Sequence, residues 1–194
     1  MNLKLLKRNR LYEGKVFNAV VDDVEYPSGR HGIREVAEHS GGAVALAVFL
    51  DESSTIRPVG SHRPDERILL VNQHRYPFDE FVWELPAGKL EKGEDPLHCA
   101  QRELAEETGY EAKEWKKLLS IYTTPGFCNE VLHIFLATGL SQTPDGRKLE
   151  EGEQTMTVKI VPLSEAVSMI DEGKIVDAKT ICGILQGLRY LKHT

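Results

Sequence analysis

Residues 88–110 read GKLEKGEDPLHCAQRELAEETGY. Asp95 is a good helix N-cap, Pro96 suits the first helical position, and Gly109 stands where a C-terminal glycine cap belongs, so the stretch predicts a helix from Pro96 to about Thr108. On that helix Glu103 and Glu107 are four residues apart and Glu106 is three from Glu103. At about 100° per residue the three carboxylates fall within an arc of roughly 100°. Leu97, Ala100 and Leu104 form the neighbouring apolar stripe that docks the helix. Like charges on one arc repel, so helix stability does not account for them. A divalent cation does, since Mg²⁺ prefers carboxylate oxygens and shares substrate phosphates. Arg102 and Glu94 are then candidates to hold the carboxylates in place. His98 is expected to face solvent.

Outward from the helix, strand signals dominate. Residues 15–26 are rich in Val and aromatics, a turn follows at Pro27–Gly29, and Arg34–His39 returns as a strand. Ala43–Leu50 is a continuous apolar run and reads as a buried strand. Further strands are expected at Arg67–Gln73, Leu118–Thr124, Val131–Thr138 and Thr155–Val161, and Phe81–Leu85 leads into Pro86–Gly88. Trp83 and Phe81 read as core. Ser164 is expected to cap a helix running to Ile170, and Thr180–Leu191 is a last amphipathic helix. The polar stretch 51–66 reads as an extended loop with no assignable role. Strands outnumber helices and alternate with them, which gives an α+β class with helices flanking a mixed or antiparallel sheet.

Composition bounds the function. The chain has 194 residues, 41% hydrophobic and 28% charged, with a formal net charge of -6. These are globular proportions, and the acidic balance argues against a nucleic-acid binder, which needs a basic face. Three cysteines without pairing motifs fit a reducing, cytoplasmic setting. The N-terminus, MNLKLLKRNRLYEG, is charged and lacks the apolar run of a signal peptide, and no stretch approaches the length of a membrane span.

A solvated helix face could carry the same glutamates. The full spacing separates the two readings: Gly88, five residues, Glu94, seven residues, Arg102-Glu103-Leu104, one residue, Glu106-Glu107, one residue, Gly109, Tyr110. This resembles the complete Nudix box. FVWELPAGKLEKGE, YTTPGFCNE and GKIVDAKT, with Pro125 sixteen residues after Gly109, resemble the ADP-ribose pyrophosphatase branch of the Nudix hydrolases, over roughly residues 12–192 less the 51–66 loop.

That resemblance implies an α/β/α sandwich with a mixed sheet (residues 41–194) and an N-terminal β region (residues 1–40) used in dimerisation. It implies a homodimer that exchanges N-terminal strands, with substrate contacts borrowed across it. The implied reaction is hydrolysis of ADP-ribose to AMP and ribose 5-phosphate, with two or three Mg²⁺ per site, or Mn²⁺ in their place. Glu103, Glu106, Glu107 and the Ala87 carbonyl match metal positions. Arg102 belongs to the same catalytic group. Arg34 and Arg75 match substrate arginines, and Glu130 and Pro125 match loop positions near the site. Val16, or its neighbour Phe17, falls where relatives stack on adenine. Glu153 matches the catalytic base, with Glu150 and Glu151 as rivals. Two alternatives stay open: a hydrolase of another nucleotide sugar such as GDP-mannose or ADP-glucose, and a non-catalytic ADP-ribose sensor.

Overall fold

A computed structural model describes residues 3–50 and 66–192. In chain order the elements are β1 (Lys4–Glu13), β2 (Asn18–Glu25), β3 (His31–Glu38), β4 (Gly42–Phe49), β5 (Arg67–Arg75), β6 (Glu80–Glu84), β7 (Ala87–Lys89), α1 (Pro96–Thr108), β8 (Tyr110–Tyr122), β9 (Val131–Gln142), β10 (Thr157–Pro162), α2 (Leu163–Asp171) and α3 (Ala178–Lys192). The chain divides into two compact units. One is Met1–Gly41 with Tyr122–Val131, and the other is Gly42–Ile121 with Leu132–Thr194.

The first unit is an antiparallel sheet in the order β1-β2-β3. Segment 122–131 joins it at Ala37, whose N–H donates to Phe127 O (2.8 Å) and whose carbonyl accepts from Asn129 N (3.3 Å). Arg8 fixes the register of the sheet by forking onto Asp22 at 2.7 Å twice and reaching Glu38 at 2.6 Å. The charged residues 4–13 carried no strand signal of their own. They are a strand because β2 supplies the pairing partner.

The second unit is built on a mixed sheet in the order β10-β5-β4-β9-β8, with β6 on β5 and β7 on β4. Its central strand explains the layering. In β4, Val44, Leu46 and Val48 point to one face, where they pack with Ala166 and Met169 of α2 and Ile184 of α3. Ala43, Ala45 and Ala47 point to the other, where they meet Cys99, Ala100 and Leu104 of α1. Side chains alternate along a strand, so GAVALAVF presents a bulky face and a small one. The small face lets α1 lie close to the sheet, and the result is the α/β/α sandwich with a mixed sheet. On one edge β4 pairs in parallel with β9 (Val44↔Ile134). On the other it pairs antiparallel with β5 at Val48 and with β7 at Val44.

The structure corrects several sequence readings. Ser164 does not cap α2. The helix starts at Leu163 after Pro162, which carries no capping side chain, and Ser164 lies inside the first turn. Phe81 is 54% exposed rather than core, while Trp83 does pack on the main cluster. Both β8 and β9 run longer than expected, and β7 is a short strand at a place to which the sequence reading gave no element. The 51–66 reading lies outside the described residues except for Glu66, which is buried.

Thr180 ties the start of α3 to the residue that follows β6. Thr180 is fully buried, its Oγ1 accepts from Leu85 N–H at 2.8 Å and donates to Asp177 Oδ2 at 2.6 Å. Thr180→Val keeps the volume and strands the Leu85 N–H. It is expected to cost about 1–3 kcal/mol in denaturant unfolding; unchanged stability would contradict this role.

Candidate functional site

Helix α1 is built as its sequence demands. Asp95 accepts from Leu97 N–H at 2.9 Å, and Gly109 closes the helix at φ 73° with its N–H on Ala105 O. These caps fix the register that points the glutamates toward β7.

Glu107 is 2% exposed, and Ala87 N–H donates to its Oε2 at 3.0 Å. Burial pushes its carboxyl up to about 8, helped by repulsion from Glu103, Glu153 and Glu84, while the Ala87 bond pulls the other way. Glu103 is also pushed up, first by burial, then by Glu106 and Glu153, against the opposing pull of Arg102. Glu103 lies directly on Gly88: a Cβ there would stand 1.8 Å from Glu103 Oε1. No residue but glycine leaves room for that carboxylate.

Arg102 holds the rim. It donates to Glu94 through Nε (3.0 Å) and Nη2 (3.1 Å), and through Nη1 to Glu103 (2.7 Å) and Glu106 (3.1 Å). Glu94 in turn accepts from Glu91 N–H at 2.9 Å. One guanidinium therefore orients three carboxylates, which a lysine's point charge cannot do.

A second network lies behind Glu84. This residue is 2% exposed and takes a two-pronged bond from Arg75, Nε and Nη2 each at 2.6 Å. Lys179 donates to the same carboxylate and to Asp177 at 3.0 Å. Burial pushes the Glu84 carboxyl up, but Arg75 and Lys179 outweigh it and hold it below the usual range. Arg75 is thus locked in orientation, with Nη1 not engaged among the described residues. Sequence reading gave Arg75 a role but none to Glu84, Asp177 or Lys179. Glu84 and Lys179 stand in the segments ELPAG and VDAKT, and nothing in one sequence says that these meet.

Glu153 sits in a short 3-10 turn, Glu151–Glu153, where its side chain accepts from Glu150 N–H at 3.0 Å in a reciprocal capping box. Its charge adds to the upward push on both Glu103 and Glu107.

The remaining candidates belong to the first unit. Arg34 is exposed, donates to Ile33 O at 2.7 Å and lies 5.3 Å over the Tyr26 ring. Val16 and Phe17 are exposed, with Phe17 tilted against Tyr12 at 5.9 Å. Pro125 is exposed, and Glu130 lies 3.2 Å from His39 Nδ1. Cys99, whose thiol burial pushes up to about 12, is an inert packing residue on the sheet-facing side of α1.

The donor set fits a divalent cation. Two carboxylates are forced toward neutrality by burial and mutual repulsion, a hard oxygen-rich environment that a cation of charge two relieves. As they stand, no three His, Cys, Asp or Glu side chains among the described residues converge tightly enough to ligate one ion. Glu103 Oε1 is taken by Arg102.

Against known proteins, the family model described as NUDIX domain matches residues 59–183. An ADP-ribose pyrophosphatase of Bacillus subtilis (strain 168) is 40% identical over 181 residues, covering 93% of this chain and 90% of that protein. A methanol dehydrogenase activator of Bacillus methanolicus is 39% identical over 192 residues, covering 98% and 96%. A solved structure titled as an ADP compounds hydrolase superposes with a TM-score of 0.79 at 15% identity, covering 100% of this chain and 96% of that one, a likeness of fold.

The depressed Glu84 group makes a pH statement. A carboxyl whose folded value is lowered stabilises the fold above its unfolded value and loses that contribution as pH falls through the folded value. Stability is expected to decline below the ordinary carboxylate value of about 4.5. Lys179→Met should move the acid-unfolding midpoint, followed by tryptophan fluorescence, to higher pH. An unmoved midpoint would show that Lys179 does not hold Glu84.

Proposed function

Because this chain belongs to the NUDIX domain family, we propose that it hydrolyses the pyrophosphate bond of ADP-ribose to AMP and ribose 5-phosphate. The observation that carries the reading is the buried Glu103–Glu107 pair seated on Gly88 and Ala87, with Glu153 within electrostatic reach. The Bacillus subtilis relative supports the choice of ADP-ribose.

The chemistry needs charge neutralisation, an oriented water and an in-line geometry. We assign Glu103, Glu106, Glu107 and the Ala87 carbonyl to two or three Mg²⁺ ions, with Mn²⁺ able to substitute. Bound there, the ions neutralise the diphosphate and make water more acidic. Glu153 takes the proton as water oxygen bonds to one phosphorus, and the bridging oxygen leaves with the other phosphate. Arg75, locked by Glu84, offers its remaining Nη1 donors to a phosphate oxygen, and its fixed plane makes that contact directional. Arg102 keeps Glu103 and Glu106 from splaying. Arg34, Val16, Glu130 and Pro125 are assigned to substrate contacts on the strength of their motifs.

We also assign the small sheet to homodimerisation by strand exchange. Leu5, Leu6, Leu11 and Ile33 are exposed on it, an apolar set that solvent does not favour. The free thiols Cys99, Cys128 and Cys182 suit the reducing cytoplasm. Among the described residues no helix is long and apolar enough to cross a membrane.

Glu107→Gln should keep the fold and lose on the order of 10³-fold in kcat with Mg²⁺; near-normal turnover would overturn the site. Glu153→Gln should slow turnover while leaving KM near its original value. A larger loss in Glu151→Gln would transfer the base role. AMP or GMP release from ADP-ribose, ADP-glucose and GDP-mannose side by side tests the substrate. Preference for GDP-mannose would replace the reading, and no hydrolysis of any of them would favour a sensor.

A further inference from the structure

Segment 143–156 is pinned to the C-terminal end of α1. Thr143 donates to Gly109 O from both N–H (2.8 Å) and Oγ1 (3.2 Å), and Lys148 N–H donates to Glu106 O at 2.9 Å. Arg147 makes the longest reach: Nε donates to Glu107 O at 2.7 Å and Nη2 to Met156 O at 2.9 Å. Carbonyls in the last turn of a helix lack intrahelical donors and carry the negative end of its dipole, so a guanidinium there is both donor and counter-charge. Gly109 permits the approach. A Cβ there would stand 3.3 Å from the Gly146 carbonyl carbon and 3.4 Å from Arg147 Cγ.

The two acceptors of Arg147 belong to different parts of the site. Glu107 lies on the helix, and Met156 closes the turn that carries Glu153, its N–H donating to Glu153 O at 2.8 Å. The turn between them is closed by its own capping box, so Glu150–Met156 is a preformed unit that needs only to be placed. From this geometry we propose that Arg147 is a positioning residue that joins the turn bearing Glu153 to the helical turn bearing Glu106 and Glu107. The inference rests on the reading of Glu153 as the group that takes the proton from water. One planar side chain bridging two backbone oxygens transmits distance and angle together, which a lysine would not reproduce.

The test uses the full chain with Arg147→Met, Arg147→Lys, Glu153→Gln and the Arg147→Met/Glu153→Gln double variant. Arg147→Met is expected to lower kcat for ADP-ribose with Mg²⁺ by about 10–100-fold with KM within about twofold, because a displacement near 1 Å suffices for losses of that order. Arg147→Lys should recover part of it. In the Glu153→Gln background the same change should cost less than about twofold, as for residues acting as one unit. Without added metal or substrate, amide exchange in Arg147→Met should rise across residues 143–156 and not in β4 or α1. If Glu153→Gln leaves kcat unchanged, the base reading falls and this inference with it. If Glu153→Gln slows turnover but Arg147→Met costs the same factor in both backgrounds, the base reading stands and the coupling through Arg147 is overturned. Exchange that rises throughout the second unit likewise overturns it in favour of a general folding role.

Discussion

The carboxylate of Glu103 rests against the α-carbon of Gly88, and the rest of the site depends on that contact. It requires α1 to lie close to the sheet, which the alanine face of β4 allows. It requires a residue without a side chain at the middle of β7. It also brings Glu107 within reach of Ala87 N–H, so that a buried carboxyl group meets a backbone donor rather than an apolar wall. Larger residues at 43, 45 or 47 would lift the helix and open all three contacts together, although none of these alanines touches a reacting group.

Around this contact the charges fall into two networks with different purposes. Arg102 gathers Glu94, Glu103 and Glu106 at the rim, where the side chains stay partly exposed and a ligand can rearrange them. Glu84, Arg75, Lys179 and Asp177 form a closed group of two anions and two cations, with Glu84 at its buried centre. Removing one member of such a group leaves an uncompensated buried charge, which costs far more than an exposed pair is worth. The rim network can exchange partners; the inner one holds geometry.

Much of this was legible in the sequence because local chemistry dictates it. Asp95, Pro96 and Gly109 fixed the limits of α1, and i, i+3 and i, i+4 spacing placed its glutamates on one side. The alternation of bulky and small residues in Ala43–Leu50 held the layer order, though it read only as an apolar run. What stayed hidden was non-local. Lys179 lies 95 residues from Glu84, and no periodicity connects them. Arg147 has no signal in the sequence, because its partners are backbone oxygens. Ser164 failed as a cap for a related reason: β10 runs straight into α2, so the helix begins before the serine is reached.

The parallel pairing of β4 with β9 also orders events in time. Val44 faces Ile134 across 90 positions of chain. The floor on which α1 sits is completed by Phe135 and Ala137 of β9, packed beside Ala43, Cys99, Ala100 and Leu104. Helix α1 has the caps to form early, but it has no full surface to dock on until a loop of that length has closed, and such closures are slow. The glutamates therefore remain solvated through most of folding. Their desolvation falls late, when the sheet that must bear it is already assembled.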